Sequence, residues 1–236
     1  MLITPLWPEV MQLTERGSVI PPRYPSNPVL LQLIRSKKFE HKGRSYRTDY
    51  STPASICQQY GEEILRRGFK SGLEIGTLFG FSTLHLAEAL HHNGGKLDTI
   101  DIRYKERTWS DGTKIVDVHE VAERLINESG FSDTVRFIPG NSNAELVKLI
   151  KAGKSYDFAL IDGGHVYSVA MLDFIFVDKL LKPGGVIALD DIGSNMAGKE
   201  GLEGGPNRLL SMIFSSNRYD ITPMTSNIVL CEKKSS

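Results

Sequence analysis

From residue 52 onward, apolar positions come in two spacings, short continuous runs and recurrences every three to four residues, which predict strands and helices in alternation. The unit that organises the chain is residues 71–92: Leu73 and Ile75 end a buried strand, Gly76 to Gly80 form a tight turn, and Leu84, Ala87 and Leu90 recur at helical spacing. Before it, Thr52-Pro53 starts a helix, with Thr52 able to cap, Ile56, Tyr60 and Ile64 facing inward, and Gly68 as the stop. After it, Gly94-Gly95 turns into a strand over Lys96–Asp101, and Tyr104 to Asp117 reads as polar loop. Val118, Val121, Ala122, Leu125 and Ile126 mark a helix ending at Gly130, and Thr134 to Ile138 forms the next strand. Ser142 with Glu145 has the spacing of a capping box for a helix burying Leu146, Leu149 and Ile150.

The most apolar strand, Tyr156 to Asp162, runs into Gly163-Gly164-His165, then a helix over Val166–Leu181. Lys182 to Gly185 is a turn, Val186 to Leu189 a strand ending in Asp190-Asp191, and the glycine-rich stretch from Gly193 to Gly205 a mobile loop. Pro206 opens a last helix with Leu209, Leu210, Ile213 and Phe214 inward, and Tyr219–Met224 and Asn227–Cys231 close the chain as an antiparallel pair. Strand-helix alternation through residue 191 implies an α/β fold with a doubly wound, mostly parallel sheet. Residues 1–50 stand apart from residues 51–236. Six of the 11 prolines lie at or before Pro28, and the segment reads as an irregular arm or cap with one short helix over Val29–Ile34.

Composition narrows the class. Lys plus Arg and Asp plus Glu are balanced at 28 each, which gives no electrostatic reason for a nucleic acid or an anionic membrane as partner and favours a small-molecule substrate. The basic positions Arg35, Lys37, Lys38, His41, Lys42, Arg44 and Arg47 read as a solvated face; the sharper reading is a contact for an acidic substrate group or a neighbouring subunit of a homo-oligomer. Cys57 and Cys231 read as free core thiols. No apolar run approaches a membrane span and the first residues lack a signal-peptide pattern, so the expected compartment is the cytoplasm.

The glycine turn indicates the ligand. A dinucleotide fingerprint needs a glycine where this chain has Leu78, whose side chain would block a pyrophosphate, and Glu74 would repel a phosphate nearby. The pocket therefore suits a positively charged ligand without phosphate. The run Glu74-Ile-Gly76-Thr77-Leu-Phe-Gly80-Phe-Ser82-Thr resembles the first motif of class I S-adenosylmethionine-dependent methyltransferases. That resemblance implies a Rossmann-like sheet of seven strands with an antiparallel C-terminal strand, and S-adenosyl-L-methionine held by Glu74, Gly76, Thr77, Gly80 and Ser82. Asp101, 25 positions after Gly76 and at a strand end, is the candidate for the ribose hydroxyls. In the family it resembles, the turn after the third strand contacts adenine, a role for Asn141 and Ser142 here, with plain helix capping as the competing reading.

The strand order places Asp162, His165, Asp190 and Asp191 at the same sheet edge as Gly76 and Asp101. Three carboxylates together repel one another unless their pKa values rise or a hard cation such as Mg²⁺ sits among them, so Asp162, Asp190 and Asp191 are candidate metal ligands. His165 is the candidate general base, with Asp162 also in the catalytic group and beside the donor. Adjacent strand residues point to opposite faces, so Asp190 and Asp191 serve one ion only if the strand ends there. Asp162-Gly-Gly-His165 with Lys182-Pro-Gly-Gly185 and Asp190-Asp191 resembles the metal-dependent O-methyltransferases with a D-G-x-H motif, the group of macrolide-sugar and related natural-product enzymes. The catechol and caffeoyl-CoA branches carry Lys in the place of His165 and Asp-Asn in the place of the later pair, a departure that weighs against their substrates. Two alternatives stay open: a metal-independent N- or O-methyltransferase, and a non-catalytic S-adenosylmethionine-binding protein.

Overall fold

In the computed structural model, residues 24–193 and 205–235 are described. Asn27 caps α1 (Pro28–Ser36) by accepting from the Val29 and Leu30 N–H groups, and Lys37 ends it in the left-handed conformation. Strands β1 (Lys38–His41) and β2 (Arg44–Arg47) form an antiparallel hairpin whose Phe39 and Tyr46 are opposed and buried, with ring centroids 5.6 Å apart. Phe39 also packs on Phe79 at 4.8 Å, next to the central turn. Over residues 24–50 the short helix expected at Val29–Ile34 is present as α1, and the rest of the arm, expected to be irregular, holds a hairpin docked into the core; residues 1–23 lie outside the described residues. Cross-strand aromatic pairing on so short a polar hairpin leaves no periodic run to read.

Helix α2 (Ala54–Arg67) ends at Gly68 and leads into β3 (Ser71–Ile75), α3 (Phe81–His92) and β4 (Lys96–Asp101). The stretch expected as loop holds a second small hairpin, β5 (Glu106–Thr108) with β6 (Lys114–Val116), before α4 (Val118–Glu128). Then follow β7 (Val135–Pro139), α5 (Ser142–Lys151), β8 (Tyr156–Ile161), α6 (Tyr167–Leu180) and β9 (Leu181–Leu189). The expected turn over Lys182–Gly185 is an irregularity within β9: Tyr156 pairs with Leu181 and Phe158 with Val186, so three extra residues are accommodated there. The expected mobile loop lies almost wholly at residues 194–204, outside the described residues. The chain closes with α7 (Gly205–Ser216), β10 (Tyr219–Pro223) and β11 (Val229–Lys233). Phe214, expected inward, is 76% exposed because the buried stripe of α7 runs through Leu209 and Ile213, about 100° away on the helix.

The seven-stranded sheet has the order β10-β11-β9-β8-β3-β4-β7; β9, β8, β3, β4 and β7 are mutually parallel and β11 is antiparallel to both neighbours. Alternation along β8 shows why helices cover both faces. Phe158 and Leu160 join one apolar cluster with α2, α3 and α4, while Ala159 and Ile161 join the other with α5, α6 and α7. A strand buried on both sides has no polar face, hence the continuous apolar run in the sequence. Consecutive parallel strands also align their carboxyl ends, which carry Ile75, Asp101, Asp162 and Asp190 to one edge. No helix among the described residues is long and apolar enough to cross a membrane.

Candidate active site

A cleft of about 720 Å³ opens at that edge, between the turn after β3, the ends of β4 and β7, and the acids following β8 and β9. Gly76 adopts φ +100°, and a Cβ there would lie 2.1 Å from the Asp162 carbonyl oxygen. Only glycine permits that approach, which places the turn after β3 against the residue that opens the acid cluster. Gly80, at φ +86°, serves packing instead. Its missing Cβ would sit 3.1 Å from Ala122, so it lets α4 pack on the start of α3 and does not line the cleft.

Glu74 is fully buried and does not line the cleft either. Its carboxylate accepts from the hydroxyls of Ser82 at 2.7 Å, Thr83 at 2.6 Å and Thr99 at 2.7 Å, and the Thr77 hydroxyl lies 2.6 Å from that of Thr99. Burial pushes its pKa up to about 6 against these three donors. Glu74, Thr77 and Ser82 therefore set the shape of the turn from beneath; of the three, Ser82 alone also reaches the cleft surface. Asp101 does line it, and accepts from the Leu78 N–H at 2.6 Å; burial raises its pKa. Asn141 and Ser142 line the same cleft. The cap of α5 is Asn141, which accepts from the Asn143 N–H, and Ser142 is the first helical residue, so the expected capping box of Ser142 with Glu145 does not form: Ala144 stands three positions after the cap.

The acid cluster forms where β9 ends. Asp190 is still aligned with the sheet, its N–H donating to the Ile161 carbonyl, whereas Asp191 turns into the left-handed region at φ +58°. The strand thus stops between them and the two carboxylates part. Asp162, His165 and Asp191 each offer a ligand atom, all within 4.8 Å of one another. Asp190 is not in this trio: it is 6% exposed, and its carboxylate receives the Thr52 hydroxyl at 3.1 Å and the Asn227 amide at 3.4 Å. Of the metal ligands expected from sequence, Asp162 and Asp191 come together, His165 joins them, and Asp190 stands behind.

Burial together with the Asp190 and Asp191 charges raises Asp162 well above the usual carboxylate range, and burial pushes Asp190 up to about 6. Asp191 goes the other way, held low by His165, whose Nε2 lies 2.7 Å from its Oδ2, and by the Asn227 amide at 2.9 Å. Thr52 does not cap α2, where Pro53 is the N-cap; its hydroxyl lies 3.1 Å from carboxylate oxygens of both Asp162 and Asp190. Sequence reasoning missed Thr52 and Asn227 as site residues. They are 110 and 36 positions from the acids they serve, and no local pattern marks either one.

Comparison with known proteins fits this arrangement. A catechol O-methyltransferase of Mycobacterium tuberculosis is 28% identical over 141 residues, a match spanning 56% of this chain and 57% of that protein, so the chain spans little more than half the length of this curated relative. Two solved structures share the fold. An O-methyltransferase from Bacillus cereus, in complex with S-adenosylhomocysteine, has a TM-score of 0.65 at 19% identity, covering 92% of this chain and 94% of that one. The Streptomyces achromogenes O-methyltransferase involved in tomaymycin synthesis, in complex with S-adenosylmethionine, also has a TM-score of 0.65, at 21% identity over 88% of this chain and 90% of that one. A methyltransferase-domain family model matches residues 73–192, from β3 through the acid cluster, and by that match the chain belongs to the class I methyltransferase family.

Proposed function

We propose that this chain is an S-adenosylmethionine-dependent O-methyltransferase that methylates a hydroxyl of a small molecule with the help of a divalent cation. The observation that carries the reading is the junction at Gly76. The turn that would hold the donor abuts Asp162, and Asp162, Asp191 and His165 face the same cleft as Asp101. The D-G-x-H resemblance makes hydroxylated sugars the first acceptors to try, and the curated relative's name adds catechols to the panel despite the departure at His165 and Asp191.

Each residue has a part. Asp101 accepts from the ribose hydroxyls, and Asn141 and Ser142 border the adenine. The Glu74 network fixes the turn, so that little ordering remains to be done on binding. The two carboxylates of this cluster offer the oxygen ligands that suit a hard divalent ion such as Mg²⁺, and the raised pKa values of Asp162 and Asp190 mark a cluster that favours added positive charge. Asp162 and Asp191 would hold such an ion, which when bound lowers the pKa of an acceptor hydroxyl and helps align it. His165 would take the hydroxyl proton, its ring oriented by the Asp191 carboxylate 2.7 Å from Nε2. Asp191 then stabilises the imidazolium. Methyl transfer itself is an in-line displacement that depends mainly on orientation.

One observation favours a metal-independent variant: the Thr52 hydroxyl bridges Asp162 and Asp190, so one shared proton could satisfy that pair without a cation. The deciding experiment is transfer of a labelled methyl group from S-adenosylmethionine to a panel of catechols and hydroxylated sugars, before and after chelation. Turnover lost to a chelator and restored by Mg²⁺ supports the cation-assisted reading, and turnover indifferent to chelation selects the other. Failure to bind S-adenosylhomocysteine in calorimetry overturns both.

A further inference from the structure

Arg107 is a cation in an acidic cleft, with no role in the chemistry above. Among the described residues that line the cleft, Asp49, Asp101, Asp162, Asp190 and Asp191 bear carboxylates, and Arg107 alone is a lysine or arginine. It makes no ion pair or side-chain hydrogen bond with any described residue. Its partners are two rings, with centroids 5.5 Å (Tyr104) and 5.7 Å (Trp109) from the guanidinium carbon. A ring attracts a guanidinium by its charge and accepts only weakly from its N–H groups, so those donors stay available to a ligand. The mount is itself held. Trp109 packs on Tyr50, ring centroids 4.7 Å apart, and the Tyr50 hydroxyl lies 2.7 Å from Asp111 Oδ2 and 2.9 Å from Thr113 Oγ1. The β5–β6 hairpin is thus fastened to the helical turn at Thr48–Tyr50, and just beyond it Thr52 touches Asp162 and Asp190. One wall of the cleft, through Tyr104, Arg107, Tyr50, Ser51 and Thr52, therefore runs from a fixed cation to the acid cluster.

Building on the O-methyltransferase reading above, we propose that Arg107 determines acceptor specificity: it binds a carboxylate on the methyl acceptor and so directs the acceptor hydroxyl toward Asp162, His165 and Asp191. The acids repel an anion elsewhere in the cleft. A molecule carrying both a hydroxyl and a carboxylate therefore has one favourable orientation, carboxylate at the hairpin and hydroxyl at the cluster. The planar fork of the guanidinium matches a carboxylate, and one guanidinium among several acids balances a single negative charge better than the double charge of a phosphate ester. The donor has no need of this cation. Its tail carries an ammonium beside its carboxylate, and the start of α3, where Ser82 reaches the cleft, offers that carboxylate free N–H groups.

The test is methyl transfer by the full-length protein and by Arg107→Gln, with Mg²⁺ present, to two matched pairs of acceptors: glucuronate against glucose, and protocatechuate against its amide. Calorimetric binding of S-adenosylhomocysteine accompanies it. Arg107 is exposed, so the substitution leaves the core untouched. The wild type is expected to favour the charged member of at least one pair by about tenfold or more in kcat/KM, the scale of one charge-assisted contact. Arg107→Gln should bring that preference to within about threefold, and the loss should appear in KM, because the contact is made equally before and during transfer. A wild type that favours the neutral members or takes none of the charged ones, or a preference that survives in Arg107→Gln, overturns the inference and leaves the methyltransferase reading intact. A loss of about tenfold or more in S-adenosylhomocysteine affinity in Arg107→Gln, with the acceptor preference unchanged, also overturns it and gives the guanidinium to the donor. A wild type that binds no S-adenosylhomocysteine overturns the methyltransferase reading itself, and this inference with it.

Discussion

The Thr52 hydroxyl lies 3.1 Å from the Asp190 carboxylate, joining the residue ahead of the α2 cap to the end of β9 across 138 positions of sequence. Since the same hydroxyl is also 3.1 Å from Asp162, its one proton is shared between the buried Asp190 and the half-buried Asp162. The helix that walls the cleft and the acids at its floor are therefore tied by a single donor.

Replacing that donor should loosen both ends. Thr52→Val keeps the shape and removes the proton, leaving two acids with one partner fewer. At neutral pH without divalent ions it is expected to cost about 1–3 kcal/mol, the usual penalty for a buried acceptor deprived of its donor. Thr52→Ser should cost much less. Urea denaturation of the three proteins checks this, and equal midpoints for Thr52→Val and wild type would show that the contact is idle.

This contact also marks where the sequence stops being legible. The strands at the centre of the sheet, β8 and β9 above all, could be read because their residues are buried on both faces and so form apolar runs, and the site's location followed from the shared edge of the parallel strands. The hairpins at Lys38–Arg47 and Glu106–Thr108 with Lys114–Val116 escaped because each buries few side chains on one face only. Thr52 was read for its nearest neighbour, Pro53, while its contacts are with distant acids. Glu74 was read as facing a ligand, yet the alternation that buries Leu73 and Ile75 on one face sends Glu74 to the opposite face, toward Ser82 and Thr83. The pattern of alternation was available in the sequence; which face would carry the cleft was not.

Gly76 gives a sharp stability test. An alanine there would put its Cβ 2.1 Å from a backbone oxygen at φ +100°, so Gly76→Ala is expected to lose about 3 kcal/mol or more and to abolish S-adenosylhomocysteine binding. Gly94 is the control: its φ is +68° with nothing within 4 Å, and Gly94→Ala should cost about 1 kcal/mol. Thermal melts of the pair test the claim that close approach to Asp162, beyond backbone conformation, fixes the residue at position 76.

His165 and Asp191 should separate chemistry from binding. His165→Ala is expected to lower kcat by about 10²- to 10⁴-fold, the range for loss of a general base, while affinity for S-adenosylhomocysteine changes less than about threefold. Asp191→Asn removes the charge that would stabilise the imidazolium and one acid of the cluster, and should lower kcat at least as far. Rates and calorimetry on the same preparations suffice, and a His165→Ala enzyme with wild-type kcat removes the base from the mechanism.

The acid cluster predicts an unusual pH dependence. Asp190 in the fold has a pKa of about 6 against an ordinary 3.8, and Asp162 is raised in the same sense, so between these values the folded protein binds more protons than the unfolded chain. Stability from these two groups is therefore highest below about pH 4 and falls as pH rises through 6. Asp191 contributes oppositely: its lowered pKa adds stability above the ordinary carboxylate range that is lost as pH falls through the depressed value. A divalent cation held by Asp162 and Asp191 competes with the protons that the raised acids retain, so its stabilising effect should grow with pH across the same window. At about a hundred times its Kd, such an ion adds about 2.7 kcal/mol, several degrees of Tm for a chain of this size. Melting curves with and without saturating Mg²⁺ at about pH 5 and about pH 7.5 make the comparison, and the shift should be clearly larger at the higher pH. A shift that is absent at both values would mean that these carboxylates hold no ion, and one larger at the lower value that the ion binds at some other place.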